Sequence, residues 1–199
     1  MASALPVLNQ IKQELADCQQ CKLHEKRTKI VFGEGNPEAR IVFVGEGPGE
    51  NEDKTGRPFV GRAGQLLDKM IEAMGYTRSD VYITNVVKCR PPDNRVPETD
   101  EVACCSKYMR QELTAIDPDI IIPLGLSASK AVLGLDSKTK MGDIRGKFKV
   151  KSFDRPTKGN VVMPTYHPAA LLRNENLKAP TWEDLQKAMS YLKELDNVT

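Results

Sequence analysis

Residues 40–74 read RIVFVGEGPGENEDKTGRPFVGRAGQLLDKMIEAM, and three patterns of different composition follow one another in this stretch. Arg40–Val44 is apolar and rich in β-branched residues after its leading arginine, which is typical of a strand buried on both faces. Glycine, proline and acidic residues fill Gly45–Gly64, whereas Gln65–Met74 carries apolar residues at helical spacing. The stretch therefore predicts a strand, a ligand-binding loop at its carboxyl end, and a helix.

The rest of the chain repeats this alternation of strand and helix. Further apolar runs predict strands at Val81–Val87, Asp119–Leu124, Phe148–Ser152 and Val161–Met163, the last two joined by a polar turn around Asp154–Asn160. Helical periodicity is present in Leu5–Leu15, from about Glu98 to Ala115, and in Trp182–Leu195. This order favours an α/β fold with a mostly parallel central sheet. The length of 199 residues fits a single domain, residues 1–199.

The composition argues against several classes of protein. A formal net charge of +2 is too small to indicate nucleic-acid binding by itself. No apolar run is long enough to span a membrane, and the polar N-terminal residues do not resemble a signal peptide. We therefore expect a cytoplasmic protein, in which the five cysteines bind a metal or are buried rather than form disulfides.

The spacing of the cysteines suggests a metal centre. Cys18 and Cys21 form a C-x2-C pair, whose tight turn presents two sulfurs to one site. Cys105 lies on the inward stripe of the helix predicted after residue 98, whereas Cys104 points about 100° away from it. This geometry nominates Cys105 as a fourth ligand beside Cys89. One pair plus two distant cysteines favours an iron–sulfur cluster over a zinc ribbon, and five buried thiols are the remaining alternative.

Polar side chains gather where the predicted strands end. Glu46 and Phe59 follow the first strand, Asn85 lies at the end of the second, and His167 follows the last. The carboxyl ends of parallel strands open onto one crevice, so these side chains are expected to meet. An aromatic face can stack on a base, an amide can pair with its edge, and histidine can stabilise negative charge.

Basic residues flank this crevice and are expected to hold phosphates: Lys88, Arg90, Arg95, Arg145, Lys147 and Arg173. The helix that begins near Ser127 offers free amides to a phosphate, although the same pattern serves as an ordinary helix cap. Together these residues predict a pocket for a planar polar ring within a nucleic-acid groove.

The motifs GEGPGENED, TGRPFVGRAGQLLD, ITNVVKCRPPDNR and HPAALLRN, in this order and with the four cysteines, resemble family 4 uracil-DNA glycosylases. This is the iron–sulfur type found in bacteria and archaea, and the resemblance runs from Cys18 to Asn174. It implies a three-layer α/β/α fold with a four-stranded, mostly parallel sheet. It also implies a base excision repair enzyme that hydrolyses the N-glycosidic bond of uracil in DNA and leaves an abasic site.

The resemblance assigns roles to individual residues of the pocket. Phe59 would stack on the extruded uracil, and Asn85 would pair with its edge. His167 would donate to the carbonyl oxygen that gains charge as uracil leaves, while Glu46 and the Gly47 amide would line the pocket near the sugar and the attacking water.

One departure from the better-known uracil glycosylases concerns water and thymine. Gly47 and Gly49 stand where those enzymes carry an aspartate that positions water and a tyrosine that bars thymine. The water must then be held by Glu46 or Asn85, and Glu52 is our candidate for blocking the thymine methyl group.

The resemblance extends to DNA and to the metal. Leu171 would wedge into the duplex, and Arg173, Lys88, Arg90 and Ser127 would contact DNA. Cys18, Cys21, Cys89 and Cys105 match the positions that hold a 4Fe-4S cluster, for which a structural role is expected.

The expected partner is uracil-containing DNA, single- or double-stranded, and the expected state is a monomer in the cytoplasm of a bacterium or archaeon, associated with the nucleoid. Three alternatives remain open at this point. They are a uracil-DNA-binding relative with little turnover, an iron–sulfur or nucleotide-binding module without hydrolytic activity, and a glycosylase with a broader range of deaminated bases.

Overall fold

A six-stranded sheet forms the centre of the computed structural model, which describes residues 3–153 and 159–198. The strands are β1 (Glu34–Gly35), β2 (Ile41–Gly45), β3 (Tyr82–Asn85), β4 (Ile120–Pro123), β5 (Lys149–Lys151) and β6 (Asn160–Val162). Their order across the sheet is β1-β3-β2-β4-β6-β5. The four central strands are parallel, and the short β1 and β5 pair antiparallel at the two edges. The expected four-stranded sheet is thus the parallel centre, which two edge strands extend to six.

Eight α-helices cover the sheet within the described residues. They are α1 (Leu5–Leu15), α2 (Glu50–Thr55), α3 (Arg62–Ala73), α4 (Thr99–Ile116), α5 (Gly125–Leu133), α6 (Met141–Ile144), α7 (Pro168–Arg173) and α8 (Lys178–Val198). The predicted helices over Leu5–Leu15 and from Glu98 to Ala115 correspond to α1 and α4. No described helix is both long and apolar enough to cross a lipid bilayer.

Two apolar cores lie on opposite faces of the sheet. Successive residues of β2 point to opposite sides, so Val42 packs in one core and Phe43 in the other. The first core also contains residues of α1, α4 and α5, and the second contains residues of α3 and α8. All five residues of β2 are buried, as expected for a strand covered on both faces. The predicted three-layer α/β/α architecture is therefore confirmed.

The register of the sheet brings the carboxyl ends of the central strands together. Gly45 pairs with Asn85 across β2 and β3, and Val44 pairs with Pro123 across β2 and β4. One residue further on, Leu124 forms a parallel bridge with Thr165, close to His167. From β2 the chain moves to β3 on one side and then to β4 on the other. Such a reversal of strand order opens a crevice at the carboxyl edge, where α/β proteins bind ligands.

The polar turn predicted around Asp154–Asn160 falls largely outside the described residues. The strands on either side of it are present, as β5 and β6, each within about one residue of the predicted range.

Candidate active site and metal centre

A cleft of about 800 Å³ lies at the carboxyl ends of the central strands. Its walls come from the loops that follow β2, β3, β4 and β6. Nine of the residues predicted for the site or its basic rim line it: Glu46, Gly47, Glu52, Phe59, Asn85, Arg95, Ser127, His167 and Arg173. The convergence expected from the sequence is therefore present.

Asn85 and Phe59 meet above the backbone of Gly45. A Cβ atom on Gly45 would lie 2.3 Å from Asn85 Oδ1 and 2.6 Å from the Phe59 ring, which is closer than real Cβ contacts. Glycine is therefore required at this position for both side chains to take their places. Sequence analysis placed Gly45 in the loop but did not identify this packing role.

The amide of Asn85 has an unpaired acceptor. Asn85 is 2% exposed, and its Oδ1 atom is buried without a hydrogen-bond partner among the described residues. A buried acceptor without a partner costs about 1–3 kcal/mol, so such atoms in folded proteins call for an explanation. Because this atom belongs to a residue that lines the cleft, a ligand N–H group is a natural partner for it.

Phe59 is held in an unusual backbone conformation. Its φ is 51°, in the left-handed region that bulky residues rarely adopt. The Arg78 guanidinium donates to the carbonyl oxygens of Pro58 and Phe59, the latter at 3.1 Å. A Cβ atom on Gly64 would lie 1.9 Å from the Phe59 carbonyl oxygen, so the tight turn also depends on Gly64. Arg78 also pairs with the carboxylates of Asp68 and Glu34, and no sequence motif connects it to any of these partners.

Glu52 braces the same loop. Its Oε1 atom accepts hydrogen bonds from the backbone N–H groups of Val60 at 2.8 Å and Gly61 at 2.7 Å, and its Oε2 atom accepts from Gly49 at 3.1 Å. These bonds fix the loop on both sides of Phe59 and explain the position of the carboxylate in the cleft wall. The role suggested for Glu52 in excluding thymine stays a prediction.

His167 has a defined tautomer. Its Nδ1 atom accepts a hydrogen bond from the backbone N–H of Ala169 at 3.0 Å, which leaves the ring proton on Nε2. Burial, aided by the positive charge of Arg173, lowers the pKa of His167 to about 4. The ring lies beside Phe59, with 5.7 Å between the two centroids. At neutral pH the histidine is thus an uncharged donor through Nε2–H.

Glu46 is a partly buried carboxyl group in the same cleft. Burial raises the pKa of Glu46, and a hydrogen bond from Ser127 acts in the opposite direction. A carboxyl group with a raised pKa can accept a proton from water more readily than an ordinary one, which suits a general base.

The cysteines converge on a second, smaller cavity between α1, α4 and the loop after β3. All five line it, together with Arg27, Lys88 and Tyr108. Cys89 and Cys105 are buried, at 5% and 7% exposure, and Cys104 is partly exposed with its thiol donating to the Gln20 carbonyl oxygen at 3.3 Å. No three acidic, histidine or cysteine side chains among the described residues are arranged to hold a single metal ion.

Two N–H groups point at sulfur atoms in this cavity. The backbone N–H of Lys88 donates to Cys105 Sγ at 3.3 Å, and Arg27 Nη1 donates to Cys89 Sγ at 3.4 Å. Such bonds, and the positive charges nearby, are typical around the thiolates of iron–sulfur clusters. Burial raises the pKa of the Cys105 thiol to about 12, and the positive charge of Lys88 acts in the opposite direction.

Two residues predicted to contact DNA are buried in the structure. Lys88 is fully buried and forms an ion pair with Glu112, so its ammonium group is not exposed to a phosphate. Leu171 is 3% exposed and packs in the core against α3 and α8, whereas Leu172 is 42% exposed; the role of Leu171 as a wedge stays a prediction. Arg90 lies just outside the cleft and donates from Nε to Asn94 Oδ1 at 2.8 Å.

Other cationic residues predicted for the rim are used within the fold. Arg95 forms a bidentate pair with Glu101, at 2.8 and 2.7 Å, and Arg145 does the same with Asp184. Lys130, in α5, lies in the cleft wall. The positive charge around the cleft is thus smaller than the sequence suggests.

Comparison with known proteins identifies the family. The model of the Uracil DNA glycosylase superfamily matches residues 32–186. The type-4 uracil-DNA glycosylase of Sulfurisphaera tokodaii is 50% identical over 188 residues, which cover 90% of this chain and 82% of that protein. The corresponding enzyme of Thermotoga maritima is 45% identical, over 92% of this chain and 93% of its own length. A type-5 uracil-DNA glycosylase of Pyrobaculum aerophilum is 34% identical, over 78% of this chain and 71% of that protein.

The matched region contains the whole cleft, from the loop after β2 to Arg173, and the identities extend over nearly all of the chain. The motifs that first suggested a uracil-DNA glycosylase therefore belong to a continuous similarity. This chain is a member of the uracil-DNA glycosylase superfamily.

Proposed function

We propose that Asn85, Phe59 and His167 bind a uracil base turned out of DNA, and that this site carries the uracil-DNA glycosylase activity of the protein. The observation that supports the proposal most strongly is the buried, unpaired Oδ1 atom of Asn85 in a cleft wall beside an aromatic ring and a neutral histidine.

Base recognition follows from the donors and acceptors of an amide. Asn85 Oδ1 can accept from uracil N3–H while Nδ2 donates to uracil O4. Cytosine presents the opposite pattern at these two positions. A well-placed bidentate pair discriminates between bases by about 1–3 kcal/mol.

Stacking on Phe59 offsets part of the cost of extruding the base. A base inside a duplex is unreachable, and turning it out costs a few kcal/mol. Stacking on an aromatic ring returns about 1–3 kcal/mol per base. Because Arg78, Glu52 and Gly64 fix the loop, the ring of Phe59 needs little reordering to receive the base.

His167 acts on the charge that leaves with uracil. When the bond between N1 and the sugar breaks, its electron pair goes to the base and spreads onto the carbonyl oxygens. The Nε2–H group of the neutral histidine can donate a hydrogen bond to such an oxygen. A preorganised donor of this kind raises the rate by about 100- to 1,000-fold.

Glu46 serves the sugar side of the reaction. The departing base leaves positive charge on the sugar, which a nearby carboxylate stabilises. The same carboxylate can take a proton from the water that attacks C1′, and the pKa of Glu46, raised by burial, makes it a better base.

The DNA would enter across the mouth of the cleft. Arg173 and Ser127 line it, Lys130 lies in its wall and Arg90 lies next to it, which supports contacts with the phosphates on either side of the uracil. We also propose a monomer as the active unit.

Cys18, Cys21, Cys89 and Cys105 are the proposed ligands of a 4Fe-4S cluster. The donor set is all thiolate, and N–H groups already point at Cys89 and Cys105. When bound, the cluster would supply a structural crosslink between the end of α1, the loop after β3, and α4. That loop leads into the cleft, so the crosslink would hold one wall of the active site.

The direct test of the proposal is a labelled oligonucleotide with one uracil, treated with alkali after incubation. Cleavage at the uracil is expected for the wild-type protein and not for a matched thymine strand. Asn85→Ala and His167→Ala should each lower the single-turnover rate by about 100-fold or more, because each removes one preorganised contact to the leaving base. Full activity of either variant would contradict the site assignment, and Leu5→Ala, on the exposed face of α1, is the control.

The pH dependence of kcat/KM tests the expected charge states of Glu46 and His167. We expect activity to rise with pH through the titration of Glu46, above the ordinary carboxyl range, and then to stay level through neutral pH. His167, with a pKa of about 4, stays uncharged over the level region and adds no step near pH 6–7. Glu46→Gln should remove the acid limb; a limb that persists unchanged in Glu46→Gln would show that another group carries it.

The cluster ligands can be told apart by substitution of neighbouring cysteines. Cys105→Ser should lose most of the bound iron and the visible absorbance of an iron–sulfur cluster, because a buried ligand is removed. Cys104→Ser is the matched control, one residue away on the same helix, and should keep both. The reverse outcome, iron lost in Cys104→Ser and kept in Cys105→Ser, would show that the ligand is Cys104.

A further inference from the structure

Lys88 is a buried cation that the proposed chemistry does not use. Its side chain has 0% exposure and forms an ion pair with Glu112. Its Nζ atom also donates to Thr84 Oγ1 at 2.6 Å and to the main-chain carbonyl oxygen of Asn85 at 3.0 Å. Fully buried lysines are rare, and they persist when each donor has a partner.

Glu112 completes a closed network around this lysine. Glu112 Oε2 accepts from Thr84 Oγ1 at 2.7 Å, and Oε1 accepts from the Tyr82 hydroxyl and the Gly33 backbone N–H, both at 3.2 Å. Three of the residues that contact Lys88 or Glu112 belong to β3, the strand that ends with Asn85. The network therefore fixes the end of the strand that carries the base-reading amide.

The backbone of Lys88 belongs to the cysteine centre. Its N–H group donates to Cys105 Sγ at 3.3 Å, its carbonyl oxygen accepts from Val31 at 2.8 Å, and the next residue is Cys89. One residue thus touches a cysteine sulfur through its main chain and the Asn85 carbonyl through its side chain.

We propose that Lys88 is a positioning residue for uracil recognition, which holds Asn85 in place and links it to the cysteine centre. The inference rests on the proposed role of Asn85. The Lys88 ammonium group donates a hydrogen bond to the Asn85 carbonyl oxygen at the end of β3. This bond fixes the backbone of Asn85, so the side-chain amide is already in position when the base binds.

A contribution to stability alone does not explain why Lys88 and Glu112 are charged residues. Buried ion pairs can often be replaced by apolar side chains of similar volume with little loss of stability. Such a replacement would fill the space between β3 and α4 but leave the Asn85 carbonyl oxygen without its donor. The two roles therefore predict different results for one variant.

The test is a double-mutant cycle between Lys88→Met/Glu112→Leu and Asn85→Ala, measured as the single-turnover rate of uracil excision by the iron-loaded protein. A displacement of a catalytic or binding group by about 1 Å can cost about 100-fold in rate. We therefore expect Lys88→Met/Glu112→Leu to lower the rate by about 10- to 100-fold in the otherwise wild-type protein. In the Asn85→Ala background the same change should cost less than about twofold, since a residue that acts through Asn85 has nothing left to position.

Equal losses in the two backgrounds, or no loss in either, would overturn the positioning role. Thr84→Val is a milder variant that removes one partner of Lys88 without burying an unpaired charge; it should give a smaller loss with the same dependence on Asn85. Iron content and the free energy of unfolding are followed for every variant. Arg40→Met, which breaks a pair with Asp119 at the opposite end of the strands, is the control and should leave the rate unchanged.

The cycle also separates this inference from the proposed function. If Asn85→Ala by itself keeps full activity, the assignment of the uracil site fails. If Asn85→Ala is impaired and the apolar pair adds an equal further loss, only the role of Lys88 fails.

Discussion

The side chains of Asn85 and Phe59 pack so closely over Gly45 that no Cβ atom fits there. This close approach depends on the sheet, because Gly45 and Asn85 are partners in the parallel register of β2 and β3. The Asn85 amide and the Phe59 ring therefore lie side by side at the bottom of the cleft, where the order of the strands reverses. The first turn of α5 and the loop after β6 then add Ser127 and His167 to the same cleft.

Phe59 keeps its position in the cleft although its backbone conformation is strained. A bulky residue with positive φ is strained by about 1–3 kcal/mol and persists where its surroundings hold it. Arg78 binds the carbonyl oxygens of this turn, Glu52 binds its N–H groups, and Gly64 leaves room for its backbone. These contacts lie outside the chemistry, yet they decide where the ring of Phe59 stands. Glu52, one of the acidic residues of the sequence motif, thus supports the loop that carries this aromatic side chain.

Much of the fold could be predicted because its signals are local. The buried strand predicted at Arg40–Val44 and found at Ile41–Gly45, the helices with apolar stripes and the strand-end residues Asn85 and His167 follow from short-range patterns and the rule for parallel sheets. The edge strand β1 contains two residues, too few to show any periodicity, and its antiparallel pairing with β3 creates it. The other edge strand, β5, is predicted from the apolar residues of Phe148–Ser152.

The sequence did not predict which side chains are buried or paired by residues far away in the chain. A lysine in a basic stretch suggests a surface position, and only the fold shows that Glu112, 24 residues further on, buries the charge of Lys88. Helix α7 has six residues, too few for the apolar pattern to fix which leucine faces inward, and the structure buries Leu171 and exposes Leu172. Arg95 and Arg145 are likewise held by carboxylates that no sequence motif connects to them.

The proposed uracil pocket depends on the close packing of Asn85 and Phe59 over the backbone of Gly45. The decisive measurement is uracil excision by Gly45→Ala compared with Gly142→Ala, since a Cβ atom on Gly142 would meet nothing within 4 Å. The added methyl group at Gly45 must push the amide and the ring apart, so we expect a folded, iron-loaded protein whose rate falls by about 100-fold, with Gly142→Ala unchanged. A Gly45→Ala protein with the wild-type rate would contradict this account of the pocket.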